Sequence, residues 1–508
     1  MSTTDDESGV EMASTARRSW RRWDPLAPVT ALVALVVLVL QGFDGAMIRD
    51  IGVYSYGGQQ VADGVPPYVA IVNRAGPLAH LVPGIGAWVA DRVGVLDVHG
   101  MRILFALLSA AAVAAAYLLA RDLFRSRAAG VAGAAALLTL HDFVFFATNG
   151  PREKTTMLLL ALLALLAVAH RRWASAGVLV SLATLTWQPV LFALLPAVLV
   201  AAVLQRRGRT TSVARVLVGG LVPLAVTVGA YALAGRWRVF WDCFLLINLH
   251  YTRQSTPLDA AHLLRRELVA DYGWTLWLII AGLLLGLVWA VRAALSGDRR
   301  EAIPATLVAT GVFTVGNLLW ALKAFNGPPD AFVMFPGVVV GVAGVVPVLR
   351  RIVPVRAAVA LVAAWAVTAV ALTAGYAVAH RDDTLLEQRR DALAVKAILP
   401  PGSRWLSQDA PQPLVLAHER NISRYQLYGS GLKRYVRHTW PGGMAGYRRW
   451  VAGQRPAVVV VGKDQPMPWL QVILDNAYRR VGHSPGWSWY ARTDLGDPTL
   501  VRIRDVLA

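Results

Sequence analysis

About eleven apolar runs, each roughly 15–25 residues long, divide this chain and leave few folds open to it. They lie near 26–43, 99–120, 128–147, 154–170, 174–187, 189–204, 212–234, 274–292, 303–322, 332–349 and 356–379. In hydrocarbon every backbone N–H and C=O must be satisfied inside the structure, so runs of this length read as membrane helices. Composition agrees. Of 508 residues 56% are hydrophobic and only 16% charged, more apolar surface than a soluble domain can bury. The sequence therefore predicts an α-helical polytopic membrane protein whose direct partner is the lipid bilayer.

The placement of charge gives the runs a direction. The formal charge is +19, which invites a nucleic-acid reading, but the basic residues sit between alternate apolar runs. Arg17 to Arg22, Arg121 to Arg127, Arg171-Arg172, Arg206 to Arg215, Arg292 to Arg300 and Arg350 to Arg356 all fall on one side, which the positive-inside rule makes the cytoplasm. No nucleic-acid partner is expected. Residues 1–25 read as a disordered basic cytoplasmic tail, and the long apolar core that follows lacks a clear small-residue cleavage site. Cys243 is the only cysteine, so no disulfide forms within the chain and no metal site is built on thiolates.

With the N-terminus cytoplasmic, the opposite face receives 43–98, 148–154, the Trp187-Gln188-Pro189 tip, 235–273, 323–330 and everything beyond His380. The transmembrane domain spans 26–379. Residues 380–508 have the composition of a small extracytoplasmic α/β domain. There Leu385 to Leu399 and Trp469 to Tyr478 read as helices, and Val458 to Val461, Trp487 to Arg492 and Leu500 to Ile503 as strands.

The 43–98 loop carries the chemistry-bearing residues. Ile51 to Ala62 has helical spacing and ends at Gly64 and Pro66-Pro67, which puts Asp50 at the start of a short helix. A carboxylate at the membrane surface suits proton abstraction from an acceptor hydroxyl, and nearby cations suit a phosphate leaving group that gains charge. Arg74, Arg152, Lys154, His250, Arg253 and Lys323 share that face, and Tyr54, Tyr68 and Trp187 can stack on sugars or sit at headgroup level. Each has a plainer reading. Asp50 can be a helix cap with Asp44 the rival base, Glu153-Lys154 a solvated end pair, and Asp330 part of a Gly-Pro-Pro-Asp turn.

Asp50-Ile51-Gly52-Val53-Tyr54, Gly64-Val65-Pro66-Pro67-Tyr68 and Arg74-Ala75-Gly76-Pro77-Leu78 resemble the first-loop pattern of the GT-C glycosyltransferases. The likeness continues through Arg102, Tyr117, Arg121-Asp122-Leu123-Phe124, Leu182 to Pro196 and Asn326-Gly327-Pro328-Pro329-Asp330, covering most of 40–340. It implies a GT-C-type integral membrane enzyme similar to the polyprenyl- and dolichyl-phosphate-mannose mannosyltransferases. Asp50 would then be the catalytic base and Glu153 the second acid. Asp44, Tyr54, Tyr68, Arg74, Lys154, Trp187, Gln188, His250, Arg253, Lys323 and Asp330 would bind substrate. The chain departs from the pattern in having no acid directly after Asp50, and Arg74-Ala75 where Lys-Pro is common.

The expected function is inverting transfer of mannose or a related sugar from a polyprenyl-phosphate donor. The acceptor would be a cell-envelope glycan, glycolipid or protein, at the extracytoplasmic face of the plasma membrane. The lipid-linked donor is the one cofactor-like partner expected, and divalent-metal dependence stays open at this point. The alternatives are a transporter or flippase of a lipid-linked saccharide and a non-catalytic scaffold that binds polyprenyl phosphate.

Overall fold

The computed structural model describes residues 24–205, 207–251, 256–429, 431–462 and 465–508. All but the last two residues of the expected 1–25 tail lie outside the described residues. Asp24 belongs to the fold and not to a tail: its Oδ2 accepts from Tyr117 Oη and Arg121 NH1, each at 3.0 Å, and it is buried. The composition of the segment hid a carboxylate whose partners lie about a hundred residues away.

The helices follow the apolar runs. In chain order they are α1 (Leu26–Leu38), α2 (Arg49–Ala62), α3 (Leu78–Val93), α4 (Asp97–Phe124), α5 (Arg127–Leu138), α6 (His141–Asn149), α7 (Glu153–Ala169), α8 (Trp173–Thr186), α9 (Leu191–Val203) and α10 (Arg209–Leu233). A π-helix at Asp242–Tyr251 leads to α11 (Pro257–Tyr272), α12 (Thr275–Leu295), α13 (Ala302–Ala324), α14 (Phe335–Ala343), α15 (Val345–Ile352) and α16 (Val355–Ala379).

All eleven expected runs are helical, though not every run is a single long helix. Among the described residues six helices are long and apolar enough to cross a membrane, or seven if α5 and α6, bent by 70° at their junction, count as one span. The segments Leu26–Gln41, Trp173–Thr186 and Gln188–Val203 are apolar but shorter.

Close packing depends on small residues, as it must where lipid supplies no hydrophobic drive between helices. A Cβ on Gly341 of α14 would run into the Gly282 carbonyl of α12, so these two helices meet backbone to backbone. A Cβ on Gly57 of α2 would likewise collide with His80 of α3. The second contact matters for function, since α2 and α3 make up most of the 43–98 loop.

The C-terminal part is α/β. It contains α17 (Thr384–Ile398), β1 (Trp405–Gln408), α18 (Leu432–Thr439), α19 (Gly443–Gln454), β2 (Val458–Gly462), α20 (Pro468–Ala477), β3 (Tyr478–Ser484), β4 (Trp487–Arg492) and α21 (Asp497–Val506). The sheet order is β1-β2-β4-β3, with β1 parallel to β2 and the other pairs antiparallel. The all-Val run of β2 is central and buried on both faces, as a continuous apolar strand should be. Leu500 to Ile503, expected as a strand, belongs to α21 instead. Pro498 sits in the first turn, and Leu500 and Ile503, spaced by three, are both buried.

This α/β part clamps the 43–98 loop. Gln388 of α17 bonds both ways to the Met47 backbone, accepting from N–H at 2.9 Å and donating to C=O at 3.2 Å. Asn421 N–H donates to Tyr56 Oη at 3.1 Å, and Val72 N–H to the Arg424 carbonyl at 2.8 Å. The loop backbone, which has no strand or helix partner there, is satisfied by the second unit.

Candidate active site

Ile48 is extended (φ −77°, ψ 163°) and caps α2, so Asp50 stands in the first helical turn, where the dipole favours a negative charge. Asp50 is therefore not the cap. Its Oδ2 accepts from Arg152 NH1 at 2.9 Å and its Oδ1 from Arg49 Nε at 3.3 Å. Arg152 precedes α7 and Glu153 opens it, so the partner of Asp50 comes from 102 positions away.

From Asp50 a line of alternating charge runs inward. Arg152 Nε lies 3.5 Å from Glu153 Oε2, Glu153 Oε1 accepts from Lys154 Nζ at 2.8 Å, and Lys154 Nζ also reaches Asp330 Oδ1 at 3.0 Å. Asp330 is held in turn by the Asn326 N–H at 2.9 Å. Lys154 Nζ sits 3.9 Å above the centroid of the Trp187 ring, and the Arg152 guanidinium lies 5.8 Å from that of Tyr54. Arg152, Glu153, Lys154 and Asp330 are all buried, a costly arrangement unless the charges pair, as they do. Arg152 Nε and Glu153 Oε2, both buried, face each other as an ion pair and make no shorter hydrogen bond to one another.

A cavity of about 220 Å³ opens beside Asp50, lined by Arg49, Tyr54, Asn73, Arg74, Ile247 and Asn326 and closed by Leu427 and Leu432 of the C-terminal part. Arg74 is held in place through its backbone. Its carbonyl accepts from Gln188 Nε2 and from Asn248 Nδ2, both at 2.9 Å, and Asn73 Oδ1 takes the Ala75 N–H at 3.1 Å.

The electrostatics follow from these neighbours. Burial alone would raise the Asp50 carboxyl, but Arg152 and Arg49 outweigh it and hold the group at about 2. Burial would lower Arg152, yet Glu153 and Asp50 carry it well above its ordinary value. Burial and the nearby Glu153 carboxylate push the Tyr54 hydroxyl up, so it stays protonated. Burial lowers Arg74 from its usual value, with Tyr54, Asp330 and Asp50 pulling the other way. The site offers an ionised carboxylate beside buried guanidinium and ammonium groups, at the edge of a cavity of small-molecule size.

Comparison with known proteins agrees with this architecture. The family model described as dolichyl-phosphate-mannose-protein mannosyltransferase matches residues 83–231. The crystal structure of ArnT from Cupriavidus metallidurans in the apo state superposes with a TM-score of 0.62 at 15% identity, covering 97% of this chain and 99% of that one. The same protein bound to undecaprenyl phosphate superposes at 0.63 and 15% identity, covering 91% and 97%. No curated protein matches the chain by sequence. The chain therefore shares the fold of these ArnT structures. With at least six helices long and apolar enough to cross a bilayer among the described residues, it is a multi-pass membrane protein.

Within this fold the structure brings Asp50, Tyr54, Arg74, Glu153, Lys154, Trp187, Gln188 and Asp330 together. Other expected site residues stand apart. Tyr68 is fully buried, donates to the Ala75 carbonyl at 2.7 Å and stacks on Tyr231, so it packs the loop and presents no face to a sugar. Lys154, by contrast, lies inside the cluster but is enclosed by two carboxylates and an indole, which makes it a counter-ion of the site's frame and not an exposed phosphate ligand. Asp44 bonds His99 at 2.9 Å and does not line the Asp50 cavity. His250 and Lys323 are exposed and line no wall of that cavity, and Arg253 lies outside the described residues.

Several cavity residues gave no sequence signal. Asn73, Ile247, Asn248, Leu427 and Leu432 are ordinary residue types in unremarkable spacing, and only tertiary folding makes them neighbours. Among the described residues no group of three or more His, Cys, Asp or Glu side chains is arranged to hold a metal ion.

Proposed function

We propose that this protein is an inverting glycosyltransferase that moves a sugar, mannose or a related one, from a polyprenyl-phosphate donor to a hydroxyl of an envelope glycan, glycolipid or protein. The observation that carries the reading is the ionised Asp50 carboxylate, paired to Arg152 at 2.9 Å, on the wall of a cavity that also holds Arg74. The undecaprenyl phosphate named for the similar ArnT structure supports a lipid-phosphate donor.

The acceptor oxygen attacks the anomeric carbon, its new bond forming as the bond from that carbon to the donor phosphate breaks. The hydroxyl proton passes to Asp50, and the bonding pair leaves with the polyprenyl phosphate. A carboxylate held at about 2 is a weak base in the ground state. It serves here because the attacking oxygen becomes strongly acidic as it bonds to carbon, so proton transfer follows bond formation. Arg74, with Arg152 behind it, meets the charge that grows on the phosphate. Glu153 holds Arg152 and Lys154 in register.

The arginine asymmetry of the sequence supports a cytoplasmic N-terminus in the plasma membrane, with this site and the C-terminal part on the far side. The deciding experiment offers purified protein a panel of radiolabelled polyprenyl-phosphate sugars. Release of free polyprenyl phosphate with sugar transferred to an envelope acceptor is the expected result. Binding without consumption of any of them would assign the protein to scaffolding, and movement of intact donor across liposomes to transport.

A further inference from the structure

The C-terminal part carries a second concave site on which the Asp50 chemistry makes no demand. A groove of about 510 Å³ lies between α19, α20 and the ends of β3 and β4. Its walls hold four guanidinium groups, from Arg448, Arg449, Arg455 and Arg492. One carboxylate answers them: Asp494 pairs with Arg455 at 2.5 Å and also with Arg492. Arg448 and Arg449 have no acidic partner among the described residues. The groove thus keeps an uncompensated positive charge, in a domain where residues 381–508 hold 19 Lys and Arg against 11 Asp and Glu.

The rest of the lining is apolar and aromatic. Val472, 43% exposed, and Tyr478, whose hydroxyl is tied to the Pro456 carbonyl at 2.7 Å, leave carbon faces turned to the groove. Its volume falls in the range of ligand clefts. None of the lining residues comes from a membrane-spanning helix. The domain meets the 43–98 loop and the π-helix through α17, α18 and the segment around 421–424, whereas α19, α20 and β3 pack chiefly within the domain. A concave cationic cleft built wholly from the C-terminal part suits a soluble anion.

We infer that this groove binds an anionic oligosaccharide, with carboxylate or phosphate groups on Arg448 and Arg449 and sugar C–H faces on Tyr478 and Val472. It is independent of whether the protein transfers sugar, and the test reads binding alone. Full-length protein in detergent is titrated with tetragalacturonate, with neutral maltotetraose, with tetraglutamate and with phosphatidylglycerol vesicles. The variant is Arg448→Gln/Arg449→Gln, which removes charges that hold no ion pair and leaves the Asp494 pairs intact. Tetragalacturonate should bind, should weaken as salt rises, and should bind about tenfold more weakly to the variant. Maltotetraose should not bind. Equal binding by the variant overturns the site, as does binding of maltotetraose as tight as that of tetragalacturonate. A preference for tetraglutamate or for the vesicles would assign the groove to an acidic peptide or to lipid, and would equally overturn the inference.

Discussion

Asp50 and Asp44 lie six residues apart, and each is paired to a basic side chain, yet only Asp50 faces the cavity. Asp50→Asn keeps size and most hydrogen bonds but cannot take a proton, and should lower turnover by about a hundred- to ten-thousandfold with little change in donor binding. Asp44→Asn should keep a sizeable fraction of activity in the same assay, and the reverse pattern would move the base to Asp44. Arg152 gives a second test at this scale, through pH. It is the chief influence holding the Asp50 carboxyl at about 2, below the ordinary 3.8, while burial pushes it up. Because the folded value is depressed, the pair stabilises the protein above the unfolded value and that contribution is lost as pH falls toward 2. In wild type, then, Asp50 stays ionised through mildly acid pH. In Arg152→Gln burial dominates, so the acid limb of the rate profile should move to higher pH whatever the remaining rate. An unmoved limb would mean that Arg152 does not set the charge state of Asp50.

At the scale of elements, the start of α7 is where the site is assembled, since Arg152, Glu153 and Lys154 project from one turn toward α2, the Asn326–Asp330 turn and the Trp187 tip. Removing one member of a buried charge set leaves the others uncompensated, a loss of about 3–5 kcal/mol. Lys154→Met, which keeps the length of the stem, should therefore unfold more readily in detergent by about that amount, because Glu153 and Asp330 would face each other across a buried gap. Thermal and denaturant unfolding of the purified variant measure it. Wild-type stability would show that Lys154 is dispensable to the frame. The contrast with α21 is instructive at the same scale. Five apolar residues among the eight from Leu500 to Leu507 fit a strand or a helix face equally well over so short a run, and only Pro498 ahead of them favours the helix that forms.

For the whole molecule, the testable statement is which side the site faces. Asp63, Val501 and Thr210 are all exposed, and Cys243 is buried, so single cysteines can be read against a quiet background. An impermeant thiol reagent applied to intact cells should label Asp63→Cys and Val501→Cys but not Thr210→Cys. Opposite labelling of positions 63 and 501 would break the topology on which the extracytoplasmic site depends.

The helical runs and the short helix beginning near Asp50 were legible in the chain itself. They rest on local quantities, apolar length and the Gly-Pro-Pro stop, and each can be read within one window of sequence. Which runs are long enough to cross, and which carboxylate owns which cation, were not. The Asp50–Arg152 bond spans 102 positions and the Lys154–Asp330 bond 176, and at such separations residue type says only that a partner is needed. The same limit explains Tyr68, an aromatic whose place in a loop suggests a sugar platform until Tyr231 covers it, and the Leu427–Leu432 wall, which no local pattern marks. Chemistry-bearing residues announce themselves by type, but their company is decided by burial, because a buried charge must be paired and only the folded chain determines which partner comes within reach.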